Sequence, residues 1–239
     1  VLDMPNIWSQ LFYKGGLKGW VPYEFRWCDN FACRLINKIS IRSGGNIISE
    51  YSGEALYCLK ERDYTTNYDL WNRMAGNIPP YTDPANAHKR KNKYPSVIRI
   101  NEDVPEPSIR AGQIVIPLEA WFTKSSKMAV PLVALQYQQL EIEITTNPIR
   151  DLYTILDASG DKRIAAPDAP PLSKFLNEPS APATSISVYD YLNDGDYQMG
   201  NTWVDGGTTT NNYWDAKIHL ICTYIFLGTA EQHVFAKNS

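Results

Sequence analysis

Hydrophobic and polar residues alternate with a period of two in several parts of this chain. In the most regular part, Leu140, Ile142 and Ile144 fall on one side, and Gln139, Glu141, Glu143 and Thr145 on the other. That period marks a pleated strand with one covered face. Upstream, Val133, Leu135 and Tyr137 have the opposite parity. The apolar face therefore switches near Gln138 and Gln139, which predicts a very long strand with a bulge there, or burial on both faces before it. An earlier segment, Gln113 to Leu118, places Ile114, Ile116 and Leu118 together, and Pro117 restricts it to an edge or a strand end. Residues 35–42 and 47–51 predict a hairpin closed by Ser43-Gly44-Gly45-Asn46, where glycine supplies positive φ without strain. A last strand is predicted from Trp214 to Leu227. Ala216, Ile218, Leu220, Cys222, Tyr224 and Phe226 share one face; the other turns from Asp215, Lys217 and His219 to Ile221, Ile225 and Leu227. Apolar residues on both faces imply that this end is covered by something else.

The remaining segments read as connections. Residues 1–34 are aromatic-rich without a period and predict loops with at most short helical turns. Ser52 is placed to cap a short helix with Leu56 and Leu59 on one face, and Asn67 a second with Leu70 and Met74 at i, i+4. Residues 77–111, with six prolines and the run His88-Lys89-Arg90-Lys91-Asn92-Lys93, predict loop. Residues 147–212 predict an irregular surface insertion that projects outward. Thr229 to Ser239 reads as a linker.

Composition sets the class. The 239 residues are 44% hydrophobic and 12% aromatic, enough for one large all-β core. The net charge of -3 gives no general footprint for nucleic acid, and the basic run, with no interleaved aromatic, reads as a solvated loop face. No apolar run approaches a membrane span of about 20 residues. The opening VLDMPNIWSQ resembles neither a signal peptide nor a natural start, and is expected to lie inside a longer product. Cys28, Cys33, Cys58 and Cys222 form neither a CxxC pair nor a zinc spacing with His88, His219 or His233, so buried free thiols made in a reducing compartment are expected.

Candidate chemistry is thin. Glu141 and Glu143 project from one strand face, a geometry used by glycosidases on β-sandwiches, but Thr145 and Thr146 follow where a further acid is needed, and solvent-facing alternation explains both. Asp157-Ala158-Ser159-Gly160-Asp161 misplaces the glycine of a calcium loop, and Asp168 stands where its closing glutamate belongs. No GxSxG, HExxH, GxxxxGK[ST] or GxGxxG motif occurs. No catalytic residue, cofactor or metal is assigned.

Three blocks resemble one family. Pro117-Leu118, Trp121-Phe122 and Pro131-Leu132-Val133-Ala134-Leu135-Gln136-Tyr137 occupy the positions of a motif in the major capsid proteins of nucleocytoplasmic large DNA viruses. Ile39 to Leu59 is similar to that family's isoleucine-rich strand, Gly-Gly turn and helix, and Thr223 to Ala236 to the exit from its first jelly roll. The resemblance implies an all-β jelly-roll sandwich, part of a double jelly roll, with short helices in loops. Residues 1–228 would be the N-terminal jelly roll without its first strands, and 229–239 a linker toward a second jelly roll. It further implies a non-enzymatic subunit of a virion, made in the host cytoplasm, that forms homotrimeric, pseudo-hexagonal capsomers of an icosahedral shell. Its partners would be neighbouring capsomers and minor capsid proteins, with no direct nucleic-acid contact.

Large apolar residues are the natural anchors of such contacts. Trp8, Trp20, Trp27, Ile221, Ile225 and Leu227 are the candidates, against ordinary core burial for each. An alternative of another class is a carbohydrate-binding or carbohydrate-cleaving β-sandwich built around Glu141, Glu143 and exposed tryptophans.

Overall fold

The computed structural model describes residues 1–9, 11–14, 19–95, 106–132, 135, 138–156, 163–165, 172–176 and 216–237. Every strand pair among them is antiparallel. The central sheet is built from β5 (Ile36–Ser43), flanked by β6 (Asn46–Ser52) and β8 (Leu140–Thr146). The β5–β6 turn is the expected one, with Gly44 and Gly45 at φ 55 and 83. Ile39 and Ile41 on β5 are fully buried and, with Ile36, Leu56, Trp71 and Ala120, make one apolar cluster. The opposite face of the same sheet is polar, as the alternation requires.

A second sheet orders β10 (Arg163–Ile164), β9 (Tyr153–Leu156) and β4 (Phe25–Trp27). It backs a larger cluster in which Phe25 stacks on Tyr153 at 5.1 Å and meets Trp27 edge-on at 5.0 Å. Two further pairs complete the strands of the described residues, β1 (Leu2–Met4) with β7 (Gly112–Ile114), and β2 (Leu11–Lys14) with β3 (Gly19–Pro22). The helices are short: α1 (Phe31–Leu35), α2 (Gly53–Asp63), α3 (Tyr68–Met74), α4 (Pro79–Thr82) and α5 (Thr229–Lys237).

Several expectations are corrected. The described part of the opening 34 residues holds four strands and the start of α1, because Leu2 and Met4, or Phe25 and Trp27, alternate over only three residues, too few to register as a period. The stretch from residue 147 is not wholly an outward insertion. Leu152, Tyr153, Ile155, Leu172 and Phe175 are core; Ser185 to Leu192 and the glycine-rich tract lie outside the described residues. The strand ending at Thr146 starts only at Leu140, and turn bonds link Leu135 N to Leu132 O at 3.1 Å and Gln138 N to Leu135 O at 3.3 Å. Its pairing irregularity sits opposite Ile36 and Lys38 rather than at Gln138. On α3, Trp71 turns inward while Leu70 is exposed, and Asn67 makes no side-chain cap. Residues 216–227 contain no strand beyond one isolated bridge, and the expected linker contains α5. Cys28 and Cys33 are buried free thiols, but Cys58 and Cys222 are exposed.

Candidate assembly surface

The segment after residue 215 docks at one point and is open beyond it. Val1 N donates to His219 O at 2.7 Å, His219 N returns to Val1 O at 2.9 Å, and Asp3 N donates to Lys217 O at 3.2 Å. These bonds lay residues 217–219 antiparallel beside β1, through the bridge Leu2 to Ile218. Past His219 no further backbone bond to β1 is made among the described residues. Ile221 is 74% exposed, Ile225 52% and Phe226 94%, with Leu220 and Tyr224 also open. Leu227 is half-buried. Gly228 N donates to Glu231 Oε2 at 2.9 Å and Gln232 Nε2 to Leu227 O at 3.0 Å, which turns the chain into α5.

A second open apolar area was missed from sequence. Trp121 and Phe122 meet edge-on at 5.4 Å on a single 3₁₀ turn, and Trp121, Met128 and Leu132 are exposed. They lie in the Pro117–Tyr137 block that carries the family resemblance. The available signal was a Trp-Phe pair in a connection rich in Lys and Ser, where no strand period claims it for a core.

The tryptophan candidates divide. Trp8 and Trp27 are buried in this chain, Trp27 at 1% exposure against Phe31 and Tyr153. A ring already covered by its own chain offers little surface to a partner, so burial within this chain favours the core reading for both. Trp20 lies on β3 opposite Tyr13, and its side chain is outside the described part.

The polar face of the central sheet accounts for the paired carboxylates. Arg42 Nη2 holds Glu143 Oε2 at 3.0 Å, Lys38 Nζ holds Glu50 Oε2 at 3.3 Å, and Ser40 Oγ donates to the same Glu50 oxygen at 2.8 Å. The Ser40 hydrogen bond, then Lys38, hold the Glu50 carboxyl below its usual range. Glu141 is exposed. Cross-strand charge pairs of this kind stabilise a solvated sheet face. Among the described residues no group of three or more His, Cys, Asp or Glu converges as a metal would require, and no helix is long and apolar enough to cross a membrane. The Asp157–Asp161 stretch lies outside the described residues.

Residues 8–192 match the sequence pattern of the family described as major capsid protein N-terminus. The chain belongs to that family. Two of the three resembling blocks, Ile39 to Leu59 and Ile116 to Ile144, fall within the match; Thr223 to Ala236 lies beyond it. The chain is 30% identical over 132 residues to the probable capsid protein 4 of Acanthamoeba polyphaga mimivirus, covering 55% of this chain and 22% of that protein. It is 24% identical over 143 residues to a major capsid protein of Phaeocystis pouchetii virus, covering 57% and 28%, and 22% over 127 residues to that of Chrysochromulina ericina virus, covering 52% and 22%. The chain thus spans under a third of the length of these relatives. The all-β jelly-roll class expected from sequence agrees with the antiparallel sheets, the short helices and the family, and the family role is structural.

Proposed function

We propose that this capsid-family chain is most of the first jelly roll of a shell subunit that works by tessellation and catalyses no reaction. Residues 1–228 form the sandwich, and 229–239, including α5, lead toward a second jelly roll. The subunits associate as pseudo-hexagonal homotrimers in an icosahedral virion, in contact with neighbouring capsomers and minor capsid proteins, after synthesis in the host cytoplasm. The observation that carries this reading is the open apolar run around Ile221, Ile225 and Phe226, which among the described residues is bonded to β1 through residues 217–219. Large contiguous apolar surface on a folded chain marks an interaction site.

The sugar-binding alternative has less support. Glu143 is engaged by Arg42, and Trp8, Trp27 and Trp71 are buried. The test is light scattering coupled to size exclusion on the full-length gene product, with a glycan array alongside. A stable trimer without glycan affinity is expected. A monomer that binds a glycan, and loses it on Trp121→Ala, sinks the shell reading.

A further inference from the structure

The basic run is held in a shape that solvation alone does not require. Ala85 and Ala87 are buried beneath it. Asn86 is fixed from both ends: its Nδ2 donates to Asp83 Oδ2 at 2.9 Å, and its Oδ1 accepts from Asn92 N at 2.9 Å. Arg90 Nη1 donates to Pro84 O at 3.0 Å, and Lys93 N to Ala85 O at 3.1 Å. This frame holds His88, Lys89, Lys91 and Asn92 at φ of 54, 64, 53 and 61. Asparagine tolerates the left-handed region, but histidine and lysine are disfavoured there. A turn with no task relaxes by placing glycine at such positions. Here cations occupy them, and backbone strain that neighbouring bonds over-determine is a pointer to function. His88, Lys89, Lys91 and Lys93 are all exposed, and none of them makes an ion pair among the described residues.

We infer that this loop is a preformed cationic contact whose occupant is the acidic surface of a second copy of the chain. The inference rests on the shell reading and names one of its contacts. Charge complementarity selects the partner. The whole chain carries -3, so apart from Lys89, Arg90, Lys91 and Lys93 the rest of it carries -7. Outside this loop, the same 239 residues of a neighbouring copy therefore carry net negative charge. Nucleic acid fits less well, because no aromatic side chain stands between the cations to stack a base. Pre-fixing the backbone lowers the ordering cost of the contact, and the charges steer one copy onto the next.

The experiment is sedimentation velocity on the full-length product over a concentration series, at about 0.05 M and 0.5 M salt, where screening shortens from beyond 10 Å to a few Å. Wild type is compared with Lys89→Glu/Lys91→Glu/Lys93→Glu, with the matching triple Arg variant, and with Ile221→Asp. A fluorescent single-stranded oligonucleotide is titrated in parallel, and circular dichroism confirms folding. Association of wild type is expected to weaken with salt. The Glu variant should associate about tenfold more weakly at low salt, and the Arg variant like wild type. Unchanged association of the Glu variant, or tight oligonucleotide binding that this variant abolishes, overturns the inference. If Ile221→Asp breaks association and the Glu variant does not, the loop contact fails and the shell reading stands. Wild type that stays monomeric at every concentration ends both.

Discussion

Lys60 shows how much a single residue organises. Its side chain is fully buried, yet its Nζ reaches Asn30 Oδ1 at 3.0 Å, Tyr68 Oη at 3.1 Å and Glu61 Oε1 at 3.3 Å. The ammonium also lies over the rings of Tyr68, Trp71 and Tyr57 at 4.4, 4.9 and 5.3 Å. It thereby ties α2 to α3 and to the left-handed turn at Asn30. Lys60→Ala should cost about 2–3 kcal/mol in urea unfolding, from lost charged hydrogen bonds and cation–π contact, and Lys60→Met about half as much because it keeps the volume. Buried and half-buried tyrosines set an alkaline limit. Burial pushes Tyr23 and Tyr51 up to about 12 and raises Tyr94, whose hydroxyl donates to Phe25 O at 2.9 Å. Folded values above unfolded ones mean that this stability is intact below about pH 10, the unfolded value, and is lost as pH rises through the folded values. Thermal midpoints should fall from about pH 10 upward, and Tyr94→Phe should flatten the decline. Lys60 was illegible in the sequence, where it is one lysine in a polar helix; its aromatic surroundings arise only when α2 and α3 pack.

Among the elements, the β6–α2 junction combines a legible signal with a hidden one. Ser52 caps α2 as its position predicts, its Oγ accepting from Ala55 N at 3.2 Å. Next to it, a Cβ on Gly53 would run into the carbonyl oxygens of Cys33 and Ile36. Ser52→Ala should cost about 1 kcal/mol. Gly53→Ala should cost clearly more, because two backbone carbonyls must move. The comparison of denaturant midpoints checks the order, and a milder Gly53 variant would refute the packing. The central hairpin, α2 and the strand ending at Thr146 were readable because their periods run for seven or more residues. β1, β4 and β9 were not. They are three or four residues long, and β4 is covered by a strand about 130 positions away, with Phe25 opposite Ile155.

For the molecule as a whole, the decisive feature is an apolar surface that stands open among the described residues. Ile221→Asp, and Ile225→Asp in the same way, should weaken the proposed trimer at least tenfold without shifting the thermal midpoint, because each side chain is more than half exposed. An unchanged trimer would remove that face from the interface. The alternation of residues 214–227 predicted a strand with apolar residues on both faces, but residues 216–227 form one isolated bridge and no strand, because a period cannot say whether a partner strand is in the same chain. Only the packing decided that β1 holds residues 217–219 and leaves Ile221 and Phe226 open. The same division applies to the tryptophans. Residue type marked Trp27 as a large anchor and passed over Trp121, and tertiary structure buried the first against Phe25 and opened the second to solvent. What the sequence determined by itself was the class: antiparallel sheets, the central hairpin and the family, because these rest on local period, turn chemistry and short motifs. What the tertiary structure alone decided was which apolar faces find cover, because burial depends on segments brought together from far along the chain.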